Sequence, residues 1–221
     1  MQLVVIAKEP LPGDVMTRLC PPCTLGQAAS IAEAALADTL DAVAATPATR
    51  RVVALDGRPG DWLPKDFDVL AQRNGSLANR LFGAFEDCFS VAPGPVVLIG
   101  MDTPQVSPDL LMSADIALGG RADAVMGMVP GGGYWLLGLS HLHPGAFSGV
   151  PISTDDTGEA QRRRLEECGY TVGLVDPLPD FDHPDAAREI AAMVPGSRFA
   201  RAVDRGIPPV EELDLWAIEP A

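Results

Sequence analysis

Aromatic residues make up only 5% of this 221-residue chain, so its interior must be filled by aliphatic side chains, with alanine, valine and leucine abundant. Positive charge is also scarce: 16 Lys and Arg face 30 Asp and Glu, a formal net charge of −14. That balance excludes binding to a nucleic-acid backbone, which needs a basic face, but not a small nucleotide held by a few local cations. No apolar run approaches the ~20 residues of a membrane span. The first residues, Met1-Gln2-Leu3-Val4-Val5-Ile6-Ala7, lack a basic leader and read as a strand rather than a signal peptide, so a cytoplasmic protein is expected. None of the three histidines has an obvious nucleophile partner and no Gly-x-Ser-x-Gly elbow occurs, which disfavours hydrolase chemistry. Walker A and G-x-G-x-x-G loops are absent too. Cys20-Pro-Pro-Cys23 is a lone Cys-x-x-Cys pair in a Pro-rich loop; without a second pair it reads as incidental thiols before a redox or metal motif. The sequence shows no internal repeat, low-complexity segment or long linker.

Strands and helices alternate from the start, the pattern of an α/β domain with a mostly parallel sheet. Strands are expected over Leu3–Ala7, Arg51–Leu55, Phe67–Ala71, Val96–Ile99, Ala122–Val129, Tyr134–Leu139 and Thr171–Val175. Helices are expected from Thr24 to about Ala45 and over Leu77–Phe89, Pro108–Leu118, Thr157–Cys168 and Asp185–Met193. Thr24 with Gln27 fits a capping box, and Ser76 and Ser107 are placed to cap the next two helices. Beyond Pro195 the periodicity fades. We therefore expect one domain over 1–194 and a tail, 195–221, that packs on it or on a partner, with Trp216 as a docking residue.

The most informative stretch is Val96-Val-Leu-Ile-Gly-Met-Asp102-Thr-Pro104. An uncharged apolar run reads as a buried parallel strand, and ligands of open α/β sheets bind outside the carboxyl ends of such strands. A carboxylate there loses hydration, and a divalent cation carrying a phosphate would compensate it. Asp102 is thus the leading candidate for chemistry. After the first strand, Lys8, Gly13, Thr17 and Arg18 have the chemistry of a phosphate-contacting loop, though a solvated Pro-rich connection has the same composition.

Four elements occur in order: Lys8-x-Pro-x-Pro-Gly13-x-x-x-Thr17-Arg18-Leu19, Gly100-x-Asp102-x-Pro104, Gly132-Gly133-Tyr134-x-Leu-x-Gly-Leu139, and Asp180-Phe-Asp182-His-Pro-Asp185. With them the chain resembles, over residues 3 to about 193, the bacterial glycosyltransferase-like family of unknown function 2064 (DUF2064). The resemblance implies a GT-A-like, Rossmann-type three-layer α/β/α domain with a central mostly parallel mixed sheet. That fold is shared with 2-phospholactate and molybdenum-cofactor guanylyltransferases. It implies a nucleotide-activated donor, an unidentified acceptor and Mg²⁺ or Mn²⁺, and allows a homodimer. Glycosyl transfer is the first expectation and nucleotidyl transfer the alternative. By the same resemblance Lys8, Gly13, Thr17 and Arg18 line the diphosphate, joined by Gly75, Leu77 and Arg80 of a Gly-x-Leu-x-x-Arg element. Asp102 binds the metal, and with Arg18 is expected to be catalytic; Asp180 and Asp182 lie near the metal. Gly132, Gly133, Tyr134, Asp155 and, by the same token, Asp156 fall on the acceptor side.

Two departures stand in that site. Met16 takes the place of a lysine and Gly131 that of an aspartate, so a charge is missing on each side. Loss of a charge-assisted contact weakens transition-state stabilisation, which makes a nucleotide-binding protein without turnover a third reading. Several candidates also carry plain structural roles. Asp182 can cap the helix that follows while Asp185 favours its positive end. The triple glycine is either a tight turn or a close ligand approach. Ser153-Thr154-Asp155-Asp156 reads as a helix cap, Arg162–Arg164 as a solvated face, and His141, His143 and His183 as loop residues.

Overall fold

The computed structural model describes residues 1–152 and 154–208. Seven strands, β1 (Gln2–Lys8), β2 (Arg50–Asp56), β3 (Asp68–Ala71), β4 (Val96–Gly100), β5 (Ala124–Met128), β6 (Tyr134–Leu139) and β7 (Val172–Val175), form one sheet in the order β3-β2-β1-β4-β6-β5-β7. Only β6 runs against the rest; all other neighbours are parallel or lie antiparallel to it. Six helices complete the domain: α1 (Leu25–Ala45), α2 (Leu77–Val91), α3 (Pro108–Gly119), α4 (Thr157–Glu167), α5 (Pro184–Met193) and α6 (Arg198–Gly206). This is the expected three-layer α/β/α architecture. None of the described helices is long and apolar enough to cross a membrane.

Strand periodicity sorts the core into two layers. Odd-numbered residues Leu3, Val5, Val53, Val97 and Ile99 face α1 and α3 through Ala32, Leu36, Leu40, Leu111 and Leu118. Even-numbered Val4, Val52, Ala54, Val96 and Leu98 face α2 through Leu81, Phe85 and Cys88, with Leu165 of α4 and Tyr170 beside them. The strands are apolar on both sides because helices cover both.

The capping expectations hold at three helices. Thr24 accepts from the Gln27 amide while the Gln27 side chain accepts from the Thr24 amide, and Ser76 and Ser107 cap α2 and α3. Thr24→Ala should therefore cost about 1 kcal/mol of stability, measured as a lower urea midpoint with unchanged slope. Of the two roles open to Asp182, the cap of α5 is not the one it takes. His183 occupies that position without a side-chain cap, because Asp182 turns to Arg18 instead. Nor does an acidic side chain cap α4: Asp156 sits at its N-cap in helical conformation without a bond, and the Thr157 hydroxyl accepts from the Thr154 amide. Ser153 lies outside the described residues.

The fading periodicity after Pro195 hides a helix. In α6, Phe199, Ala202, Val203 and Gly206 face α1 and α5, forming a third cluster with Ile31, Ala35, Phe181 and Ile190. The arginines between them dilute the apolar signal along the sequence while pointing away from it in space. Cys23 lies under this layer with its thiol against the Gly206 carbonyl, and burial raises its pKa; all four cysteines are free. Trp216 lies outside the described residues.

Candidate active site

The chain leaves β1 toward β2 on one side and β4 toward β5 on the other, so the sheet's switch point falls between β1 and β4. A crevice opens there at the carboxyl ends of the strands. Ile6 is in register with Gly100, which sets Lys8 and Asp102 each two residues past the last ladder pair. Two cavities of about 530 Å³ each meet over this point and share Ile6, Leu77, Gly100, Asp102 and Ile152.

One half holds Lys8, Asp14, Met16, Gln72, Gly75 and Arg80. Lys8 and Arg80 are its cations. Arg80 is anchored by Asp56 at the end of β2 and by the Gly75 carbonyl at 3.3 Å. Gly75 sits at φ 111°, where a side chain is strained and would press on Asn79. Gln72 spans the strand ends, donating to the carbonyls of Ala7 (2.7 Å) and Ala54 (2.8 Å). Met16 is held in the left-handed region at φ 48°, an uncommon conformation for a long side chain. Gly13 and Thr17 line neither cavity.

The other half is acidic. Asp102, Asp155, Asp180 and Asp182 line it together with Arg18, His183, Gly131–Gly133 and Tyr134. Gly100 makes room for the key carboxylate, since a Cβ there would collide with Asp102 Oδ1. Burial, reinforced by the charges of Asp180 and Asp182 and opposed by the Asp102 amide, lifts the Asp102 carboxyl to about 6. Asp180 is raised as well, by burial and then by Asp182, against its own amide, Arg18 and His183. Arg18 pairs with Asp182, so it stands in this half rather than beside Lys8. Burial keeps the Tyr134 phenol neutral, its pKa pushed above the ordinary range. The glycine turn closes on the protein itself: Gly132 lies against the Asp155 backbone, and Gly158 against the Gly133 carbonyl. Of the two readings of that turn, close packing accounts for Gly132, whereas Gly131 faces open space.

Three further side chains position the crevice: Gln72, Gln105 and Trp135. Gln105 donates to the Pro179 carbonyl, fixing the segment that carries Asp180, while its Oε1 is buried without a partner. Trp135 occupies the bulge between Gly127 and Met128, crosses the missing side chain of Gly127 and donates to the Asp176 carbonyl at 3.1 Å. A polar residue just past a strand end was the available signal for Gln72; no local pattern marks the other two.

The donor chemistry of Asp102, Asp180 and Asp182 suits a hard cation such as Mg²⁺ or Mn²⁺, and their mutual repulsion would be relieved by one. Among the described residues no three acidic, histidine or cysteine groups stand close enough to form a complete cage. The three aspartates expected at a metal therefore do not form a common ligand set; any two that shared a cation would leave the rest of its shell to other oxygen ligands.

The fold has counterparts among solved structures. A candidate nucleotide-diphospho-sugar transferase from Desulfovibrio desulfuricans G20 is 25% identical, with 90% of each chain covered and a TM-score of 0.78. A 4-diphosphocytidyl-2C-methyl-D-erythritol synthase is 9% identical over 88% of this chain and 99% of its own, at 0.60. Rv0371c from Mycobacterium tuberculosis H37Rv is 19% identical over 86% and 97%, at 0.52. The last two likenesses show the fold alone. No curated protein matches the chain. The model of the family described as "Uncharacterized protein conserved in bacteria (DUF2064)" matches residues 31–154, more than half the chain, and the protein belongs to that family.

Proposed function

We propose that this protein is a transferase that moves a glycosyl group from a nucleotide-activated donor, with Mg²⁺ or Mn²⁺ at Asp102. The observation that carries this reading is the position of Asp102: a carboxylate at the switch point whose pKa burial raises, shared by a cavity that holds Lys8, Arg80 and Asp14 and a cavity that holds three further carboxylates. In this reading Lys8 and Arg80 bind the donor's nucleotide and phosphate portion, and Gly75 lets backbone approach it. Asp102, with Asp180 or Asp182, would hold the cation, whose charge would stabilise the departing diphosphate. Arg18 fixes Asp182 and thereby the acidic wall. Gly132, Gly133, Tyr134 and Asp155 border the acceptor.

A second reading, nucleotide binding without turnover, is favoured by Met16: a thioether lines the donor half where the family resemblance leads one to expect an ammonium. Titration with nucleoside di- and triphosphates and nucleotide-sugars, with and without Mn²⁺, tests both. Binding that depends on Mn²⁺ and fails in Asp102→Ala is expected. Met16→Lys, which inherits the existing backbone and adds one charge-assisted contact, should tighten the bound nucleotide about tenfold. If no nucleotide binds and Asp102→Ala changes nothing, the donor site is wrongly assigned. Tight binding by the wild-type protein without product, with turnover gained in Met16→Lys combined with Gly131→Asp, would establish the second reading.

A further inference from the structure

Resting on the donor reading above, we infer that the acceptor offers a neutral hydroxyl or an amine and carries no phosphate or carboxylate. The charge of the crevice is divided along its length. The donor half balances the cations Lys8 and Arg80 against the carboxylates Asp14 and Asp102. The acceptor half sets four carboxylates against one guanidinium and the exposed His183.

Arg18 and Arg80 are each paired with a carboxylate, but Asp182 lines the acceptor cavity itself whereas Asp56 lines neither cavity. Drawing Arg18 onto an acceptor phosphate would release a carboxylate into the same cavity and gain nothing in net charge. A cation held by Asp102 and Asp180 would be shared with the donor's own phosphates, which add further negative charge beside the acceptor. Asp155 then remains the carboxylate that neither arginine nor cation claims. Its backbone is fixed against Gly132, so it faces the acceptor from a defined position. A carboxylate so placed accepts a hydrogen bond from a hydroxyl or attracts an ammonium group, and repels a phosphate. Tyr134 adds a neutral hydroxyl, and the side chains of Leu98 and Trp135 give the cavity an apolar floor suited to the carbon face of a polyol ring.

Glucose, glucosamine and glucose 6-phosphate differ mainly in charge and make matched probes. Their binding is to be measured by ligand-observed NMR on the full chain, with Mn²⁺ and a nucleoside diphosphate present. Glucosamine and glucose should bind at least about tenfold more tightly than the phosphate ester at low ionic strength, a difference that shrinks as salt is added. Asp155→Lys, at an exposed position, should narrow or reverse the order. Equal binding of the three, no binding of any, or a preference for glucose 6-phosphate overturns the inference. The same samples report nucleotide binding: nucleotide bound without discrimination among the sugars defeats this inference alone, whereas no nucleotide bound defeats the donor reading beneath it.

Discussion

Asp102→Asn should raise the melting temperature of the ligand-free protein while sharply lowering the proposed transfer activity. Asparagine keeps the side-chain oxygen that accepts from the residue's own amide but discards a charge that burial and two neighbouring aspartates oppose. The sign of the pH dependence follows from the direction of the shift. In the unfolded chain this carboxyl ionises near 3.8; in the folded protein it holds its proton to about 6. Between these values the unfolded state releases a proton that the folded state keeps, so stability falls as pH rises, and the full penalty applies above pH 6. After allowance for the open side of the crevice, that penalty is on the order of 2 kcal/mol, or ~5 °C in melting temperature. The advantage of the asparagine variant should vanish below about pH 4. Added Mn²⁺ should stabilise the wild-type protein and leave the variant nearly unmoved. Transfer should drop by about two to three orders of magnitude. Thermal scans from pH 4 to 8 check the first part, and a variant less stable than wild type at pH 8 would contradict the burial of this charge.

Gly132→Ala is the second substitution with a large expected effect. The residue stands at φ 147°, outside the range that side chains favour, and a Cβ would lie 2.8 Å from Asp155 Cα and 3.0 Å from its carbonyl oxygen. Both are backbone atoms, which cannot rotate away. Strain and overpacking together should cost about 3 kcal/mol, seen as a lower urea midpoint. Because the clash displaces Asp155, in the proposed reaction KM for the acceptor should rise more than the donor's dissociation constant. Gly131, one residue earlier, meets nothing within 4 Å, so Gly131→Asp bears only the backbone cost of φ 96°, about 1 kcal/mol. Equal losses at the two positions would contradict the packing of this turn on α4.

The strands and first helices were legible because their signals are local. Alternating layers of Val and Leu, the Thr24–Gln27 box, and Ser76 and Ser107 before apolar periods act within a few residues of each other. Asp102 was legible for the same reason: a charge ending an uncharged strand needs no distant partner to be noticed. The helix α6 was missed because its apolar residues gain meaning only from Ile31 and Phe181, far away in the chain. For Asp182 the sequence offers both a cap and a metal contact, because it shows the neighbouring helix but not Arg18, which is 164 residues away.

The sequence by itself determined the α/β order, the family and the aspartate shared by the two halves of the candidate crevice, since periodicity, caps and ordered motifs are written along the chain. Only the tertiary structure decided how the charges are shared. It set Arg18 with Asp182, left Lys8 and Arg80 in the opposite half, and packed the glycine turn against Asp155. Electrostatic neighbours and backbone clearances are set by distance in space, and segments far apart in sequence supply them.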